Sequence, residues 1–87
     1  MIGTYSLNPD VVFRRLDDRM VLVHLKTNQI YELNETGARV WELLEGGTNP
    51  IDLGPHLSTE FEVDTQSLEN EIQGLLNDLE TEGLITK

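Results

Sequence analysis

The sequence contains no cysteine. A disulfide framework, a thiol nucleophile and a thiolate metal site are therefore all excluded. There is no run of about 18 apolar residues, so no segment is expected to span a membrane. The opening, Met1-Ile2-Gly3-Thr4-Tyr5, lacks the basic-then-apolar order of a secretory signal. A cytoplasmic location is the expectation. Prolines number only 3, and 38% of residues are hydrophobic against 25% charged, which excludes disorder over most of the length.

Catalytic groups are equally scarce. Of the two histidines, His24 falls in an apolar run and His56 beside a proline. Neither has a second histidine at the i+4 spacing that presents a His pair to a metal from one helix. Ser6, Ser58 and Ser67 lie in no G-x-S-x-G context. Gly46-Gly47 precedes no G-K-[ST] element, so it reads as a helix stop rather than a phosphate cradle. The expectation is a protein that is not an enzyme and uses no cofactor or metal.

Basic residues are missing from one half of the chain. Residues 1–39 carry five bases (Arg14, Arg15, Arg19, Lys26, Arg39) and five acids, whereas residues 40–87 carry eleven acids and only the terminal Lys87. The formal charge of −10 thus belongs to the second half. Such a surface repels phosphate backbones and anionic lipids and favours cationic partners.

What is present fits one small domain of 87 residues. Residues 1–10, ending in Asn8-Pro9-Asp10, read as an N-terminal lead-in closed by a turn, with the domain proper at 11–87. Three β-like runs follow: residues 11–16, residues 20–25 and Gln29–Leu33. They are separated by Asp17-Asp18-Arg19 and Lys26-Thr27-Asn28, where Asn28 suits a positive φ. Two tight connections predict an antiparallel meander with the second strand central.

At Asn34 the period changes from two to about 3.6. Asn34 suits an N-cap, Ala38, Trp41 and Leu44 form an apolar stripe, and Gly46-Gly47 ends the helix. A second helix is expected from Thr48-Asn49-Pro50, with a stripe of Ile51, Leu53 or Gly54, Leu57 and Phe61. Gly54-Pro55 predicts a kink or a start delayed to Pro55. A third helix, capped by Asp64 and stopped by Gly83, carries Leu68, Ile72, Leu75, Leu76 and Leu79. Gly74 falls on its polar face without an evident reason. The pattern is βββααα, a small winged-helix-like α+β domain.

A winged helix raises the question of DNA, which the charge answers. The third helix carries five carboxylates (Glu69, Glu71, Asp78, Glu80, Glu82) and no base, and the second has no base either. Phosphate contact and guanine readout both need Lys or Arg, so nucleic acid is excluded. A binding surface remains. Outer strands of a meander have unpaired backbone groups. The first strand is guarded by Pro9, Arg14, Arg15 and Asp17, whereas Gln29–Leu33 holds only Glu32 as a charge. An open edge beside an amphipathic helix suits an extended peptide. Equally, that edge suits the chain's own residues 1–8 or a second copy.

The sequence also carries a composite motif: a Val21-Leu22-Val23 strand, then Tyr31-Glu32-Leu33-Asn34-Glu35-Thr36-Gly37, then Trp41-Glu42-Leu43-Leu44-Glu45-Gly46, and a closing Gly83-Leu84-Ile85. In these elements it resembles the PqqD-like family, the precursor-peptide recognition elements of ribosomal natural-product pathways, over residues 11–86. Its most specific piece is Leu33-Asn34-Glu35-Thr36-Gly37 followed by Trp41. As a free-standing chain it is most similar to the leader-binding proteins of lasso-peptide clusters.

The resemblance implies a winged-helix-like fold without DNA binding, and a precursor's leader segment added to the third strand against the third helix. It further implies delivery of that leader to a cysteine-type leader peptidase and an ATP-using cyclase. Peptide contacts are then expected at Asn28, Gln29, Ile30, Tyr31, Glu32 and Leu33, and at Glu69, Ile72, Leu75, Leu76, Asp78 and Leu79. Leu68, Ile72 and Leu79 are centred on the stripe and read as core. Leu75 and Leu76 lie on opposite shoulders, and helical spacing alone does not say which meets a ligand. Asn34, Thr36 and Gly37 read as capping and close packing. The acidic helix predicts a basic leader, and the assembly is expected to be a monomer or weak dimer. A carrier for a radical SAM modifying enzyme and a structural dimerisation module are the alternative readings.

Overall fold

The computed structural model describes residues 5–86. Strands β2 (Val11–Leu16), β3 (Arg19–His24) and β4 (Gln29–Leu33) form the expected antiparallel meander in the order β2-β3-β4. A two-residue turn at Asp17-Asp18, with Asp17 at φ 51°, joins the first pair, and Asn28 at φ 62° closes the second hairpin. Both are residue types that tolerate the left-handed region.

The meander is not the whole sheet structure. Within the lead-in, β1 (Ser6–Leu7) pairs antiparallel with β5 (Ile85–Thr86), a short strand formed where the apolar tail folds back. Asn8 secures this second sheet: its Nδ2 donates to the Gly83 carbonyl at 2.7 Å, and its Oδ1 accepts from the Asp10 amide at 2.8 Å. The described part of residues 1–8 is therefore tied to the C-terminus and not to β4. Met1 to Thr4 lie outside the described residues, as does Lys87.

Helix α1 (Glu35–Glu45) begins as its cap requires, with Asn34 Oδ1 accepting from the Gly37 amide at 2.9 Å, and Gly47 at φ 90° terminates it. The second helical segment departs from expectation. Pro50–Asp52 forms one 3-10 turn capped by Asn49, and α2 (Leu53–Phe61) starts at Leu53, not delayed to Pro55. Pro55 is tolerated because it falls in the first turn of α2, where amides have no intrahelical partner anyway. Ile51, expected in the stripe, is 62% exposed because that turn points it away from the core. Helix α3 (Thr65–Thr81) follows its Asp64 cap and ends before Gly83 at φ 74°.

The core lies between the inner sheet face and the helices. Met20, Leu22 and Leu33 meet Ala38, Val40, Trp41, Leu44, Leu53 and Leu57, with Leu68, Ile72, Leu76 and Leu79 of α3 closing it. Phe13 sets its ring edge-on to Trp41 with centroids 5.6 Å apart. Alternation along β3 turns Met20, Leu22 and His24 inward, and register places Val12, Val23 and Ile30 side by side on the outer face. Gly54 lets α2 and α3 cross closely, because a Cβ there would lie 3.0 Å from Glu69 Cγ.

A charged network joins β2, α1 and α2 around the core's rim. Arg39 Nε donates to Glu60 at 2.9 Å, Arg39 and Arg15 both approach Glu42 at 3.5 Å, and His56 Nε2 lies 3.2 Å from Glu60. The hydrogen bond from Arg39 holds the Glu60 carboxyl below the ordinary 4.5. A lowered folded-state pKa contributes stability above the unfolded value and loses it as pH falls through the folded one. Relative to Glu60→Gln, the native protein is therefore expected to melt higher at pH 7, with the difference shrinking progressively as pH falls from the ordinary 4.5 through the lower folded-state value. The gap should be worth under about 1 kcal/mol, because the pair is partly solvated. Thermal melts of both forms from pH 7 into the acid range check this; a gap that does not narrow as pH falls would assign the effect to packing.

Candidate peptide-binding cleft

Strand β4 has β3 on one side. On its other side no strand pairs with it among the described residues, so the backbone groups of alternate residues face outward. Its side chains divide by alternation. Tyr31 and Leu33 face the helices, whereas Glu32 and the 71%-exposed Ile30 face outward with Val21 and Val23. Asn28 and Gln29 sit at the hairpin end. Tyr31 reaches across to α3, its hydroxyl 2.9 Å from Glu82 Oε1 and also bonded to Gln29, so one phenolic proton is shared between two acceptors. Partial burial, and then the adjacent Glu82 carboxylate, hold the phenol above its usual 10.0. This contact bridges β4 and α3 at the Gln29 end.

Toward Leu33 the space between strand and helix opens. One concavity of about 700 Å³ is walled by Asp18, Arg19, Glu32, Leu33, Asn34, Glu35, Gly37 and Leu75. A second, of about 340 Å³, lies between the start of α1 and the middle of α3, against Thr36, Gly37, Asn70, Glu71, Ile72, Gly74, Leu75 and Asp78. The two meet at Leu75. Together they carry five carboxylates (Asp18, Glu32, Glu35, Glu71, Asp78) and a single base, Arg19, which is paired with Glu32 at 3.4 Å.

The expected site residues do not all reach this cleft. Of the two shoulder residues of α3, Leu75 lines the cleft, half-buried, whereas Leu76 lies in the core, as does Leu79. Ile72 is buried but lends an edge to the smaller concavity, and Asp78 lines it. Glu69 is turned toward α2, its stem against Gly54. The smaller concavity also brings in Glu71 and Gly74, absent from the expected set. Their spacing around Leu75 (71, 74, 75, 78) is that of one helical face, a signal legible once Leu75 is known to point outward. Asn34, Thr36 and Gly37 combine two tasks. They cap and pack the start of α1, where a Cβ on Gly37 would stand 3.2 Å from Leu33 Cβ, and they also form the cleft's wall.

An open strand edge facing an acidic helix across a cleft, on a winged-helix-like domain, is a geometry that an extended peptide can occupy. The chain belongs to the PqqD family: residues 19–85 match the model described as coenzyme PQQ synthesis protein D. Among solved structures it is similar to TbiB1 in complex with the TbiA(beta) leader peptide, with 32% identity, a TM-score of 0.84, and 91% of this chain and 92% of that one covered. It is also similar to a lasso peptide synthetase B1 complexed with its leader peptide, with 27% identity, a TM-score of 0.87, and 98% and 100% covered. A search of curated protein sequences finds no match.

Proposed function

We propose that this chain is a non-catalytic adaptor that binds the leader segment of a ribosomally made precursor peptide of the lasso type. The observation that carries the reading is the unpaired edge of β4 beside the Leu75 face of α3. A guest strand on that edge would satisfy the outward backbone groups of Gln29–Leu33. Its alternate side chains would point into the cleft and toward the outer sheet face. Residues 11–87 form the recognising domain in this reading. A cysteine-type leader peptidase is the partner to which the leader is delivered, and an ATP-using cyclase acts after it. The resemblance to B1 proteins seen with leader peptides, rather than with a radical enzyme, favours this route over that of a radical SAM carrier. Binding and presentation ask for no catalytic group, and the expected place of action is the cytoplasm.

Hydrogen exchange tests the reading directly. Leader segments encoded by short open reading frames beside this gene, and the TbiA(beta) leader as a second probe, should protect outward amides of β4 and leave β2 unchanged. Protection of β2 instead would move the site to the other edge, and protection of neither would remove the reading.

The carboxylates around the cleft give it a second signature. A basic leader should associate several-fold more slowly when salt is raised from 20 mM to 500 mM, with a smaller change in dissociation, because charges on exposed surfaces are screened beyond about 8–10 Å near physiological ionic strength. Stopped-flow mixing measures this. An association rate indifferent to salt would show that the acidic face does not steer the ligand.

A further inference from the structure

Each of the other glycines inside a helix has a reason within the fold. Gly37 approaches Leu33, and Gly54 approaches Glu69. Gly74 has none: it lies in the middle of α3, its backbone is helical, and a Cβ built on it meets nothing within 4 Å. Glycine there still costs helix stability relative to alanine. The fold of the described residues does not need it, so its use lies with something that approaches α3 from outside. What lies in front of it is the smaller concavity, whose volume of about 340 Å³ is far above the roughly 30 Å³ share of one water and thus of side-chain size. Ile72, Leu75, Gly37 and the bare turn at Gly74 give its lining an apolar part, beside the polar Asn34, Thr36, Asn70, Glu71 and Asp78.

We propose that Gly74 is a specificity-determining position: the bare turn it leaves on α3 admits one large apolar side chain of the bound leader into the recess shared with Gly37. The inference rests on the leader-binding reading and deepens it, naming where along the cleft a side chain descends and which residue sets its permitted size. The Tyr31–Glu82 bridge at the other end of the cleft strengthens the assignment, because it leaves the Leu75 end as the open way down to the helix.

The test uses the full chain, with Gly74→Ala and Gly74→Leu, and the same two leader probes. Thermal midpoints should rise, by about 4–8 °C for Gly74→Ala, as the helix gains a better former. Leader affinity should fall in the opposite sense, about 3–10-fold for alanine and at least 30-fold for leucine. An alanine scan of the leader should then find one position whose truncation weakens binding to the native protein yet costs nothing against Gly74→Leu, the coupling expected of two groups that share one space. Unchanged affinity in both variants would overturn the assignment while leaving leader binding intact. So would a penalty spread evenly over the leader, or a lowered thermal midpoint, which would make Gly74 a folding requirement. Failure of the native protein to bind either probe would instead remove the leader reading, and this inference with it.

Discussion

Proline placed at Ile30 or Tyr31 is expected to abolish leader binding, by at least 100-fold, where alanine at the same position costs only a few-fold. Proline deletes a backbone donor and fixes φ, whereas alanine leaves the strand's hydrogen-bonding row intact. Each ladder bond contributes about 0.5–1.5 kcal/mol net, and a donor stranded without a partner costs more than that. The two positions differ in a useful way. Neighbouring amides along an edge strand point in opposite directions, one toward β3 and the next outward. One of the two variants should therefore loosen the meander, while the other should fold normally and fail to bind. Circular dichroism with calorimetric titration separates them. Equal effects of alanine and proline in folded variants would mean that side chains, not the backbone row, carry recognition.

The adjacent leucines of α3 should give opposite phenotypes. Leu76 is 3% exposed in the core, so Leu76→Ala is expected to cost about 2–5 kcal/mol, a large share of the roughly 4–13 kcal/mol available to a chain of this size. The melting temperature should fall by more than 10 °C. Leu75 stands half-buried at the core's edge where the two concavities meet, and Leu75→Ala should lower the melt far less than Leu76→Ala. It should nonetheless weaken the leader by about tenfold, through lost apolar contact alone. Thermal melts and titrations on both variants decide the matter. The reverse pattern would place the ligand on the other shoulder of the helix.

The elements of this fold are legible in the sequence to different depths. The meander, its turns at Asp17 and Asn28, the Asn34 and Asp64 caps and the stops at Gly47 and Gly83 all follow from local chemistry, which a few neighbouring residues specify. The pairing of β1 with β5 was not legible, because two-residue strands have no period and their partners stand at opposite ends of the chain. The start of α2 at Leu53 was not legible for a related reason: Pro50 and Pro55 both suit a first turn and both occupy one, Pro50 in the 3-10 turn and Pro55 in α2, and Leu53, buried in the core, lies between them.

The sequence by itself determined the α+β class, the place of the third strand at a sheet edge, the acidic third helix and the family; that no strand covers this edge among the described residues came from the tertiary structure. Alternation, helical period, sign of charge and motif spacing are all properties of residues near one another in the chain. Only the tertiary structure decided that Leu75 and not Leu76 meets the cleft, that Glu69 turns to Gly54, and that Gly74 fronts a recess. A helix repeats its faces every 3.6 residues, so two shoulders of one stripe are equivalent until a sheet and a second helix pack against one of them.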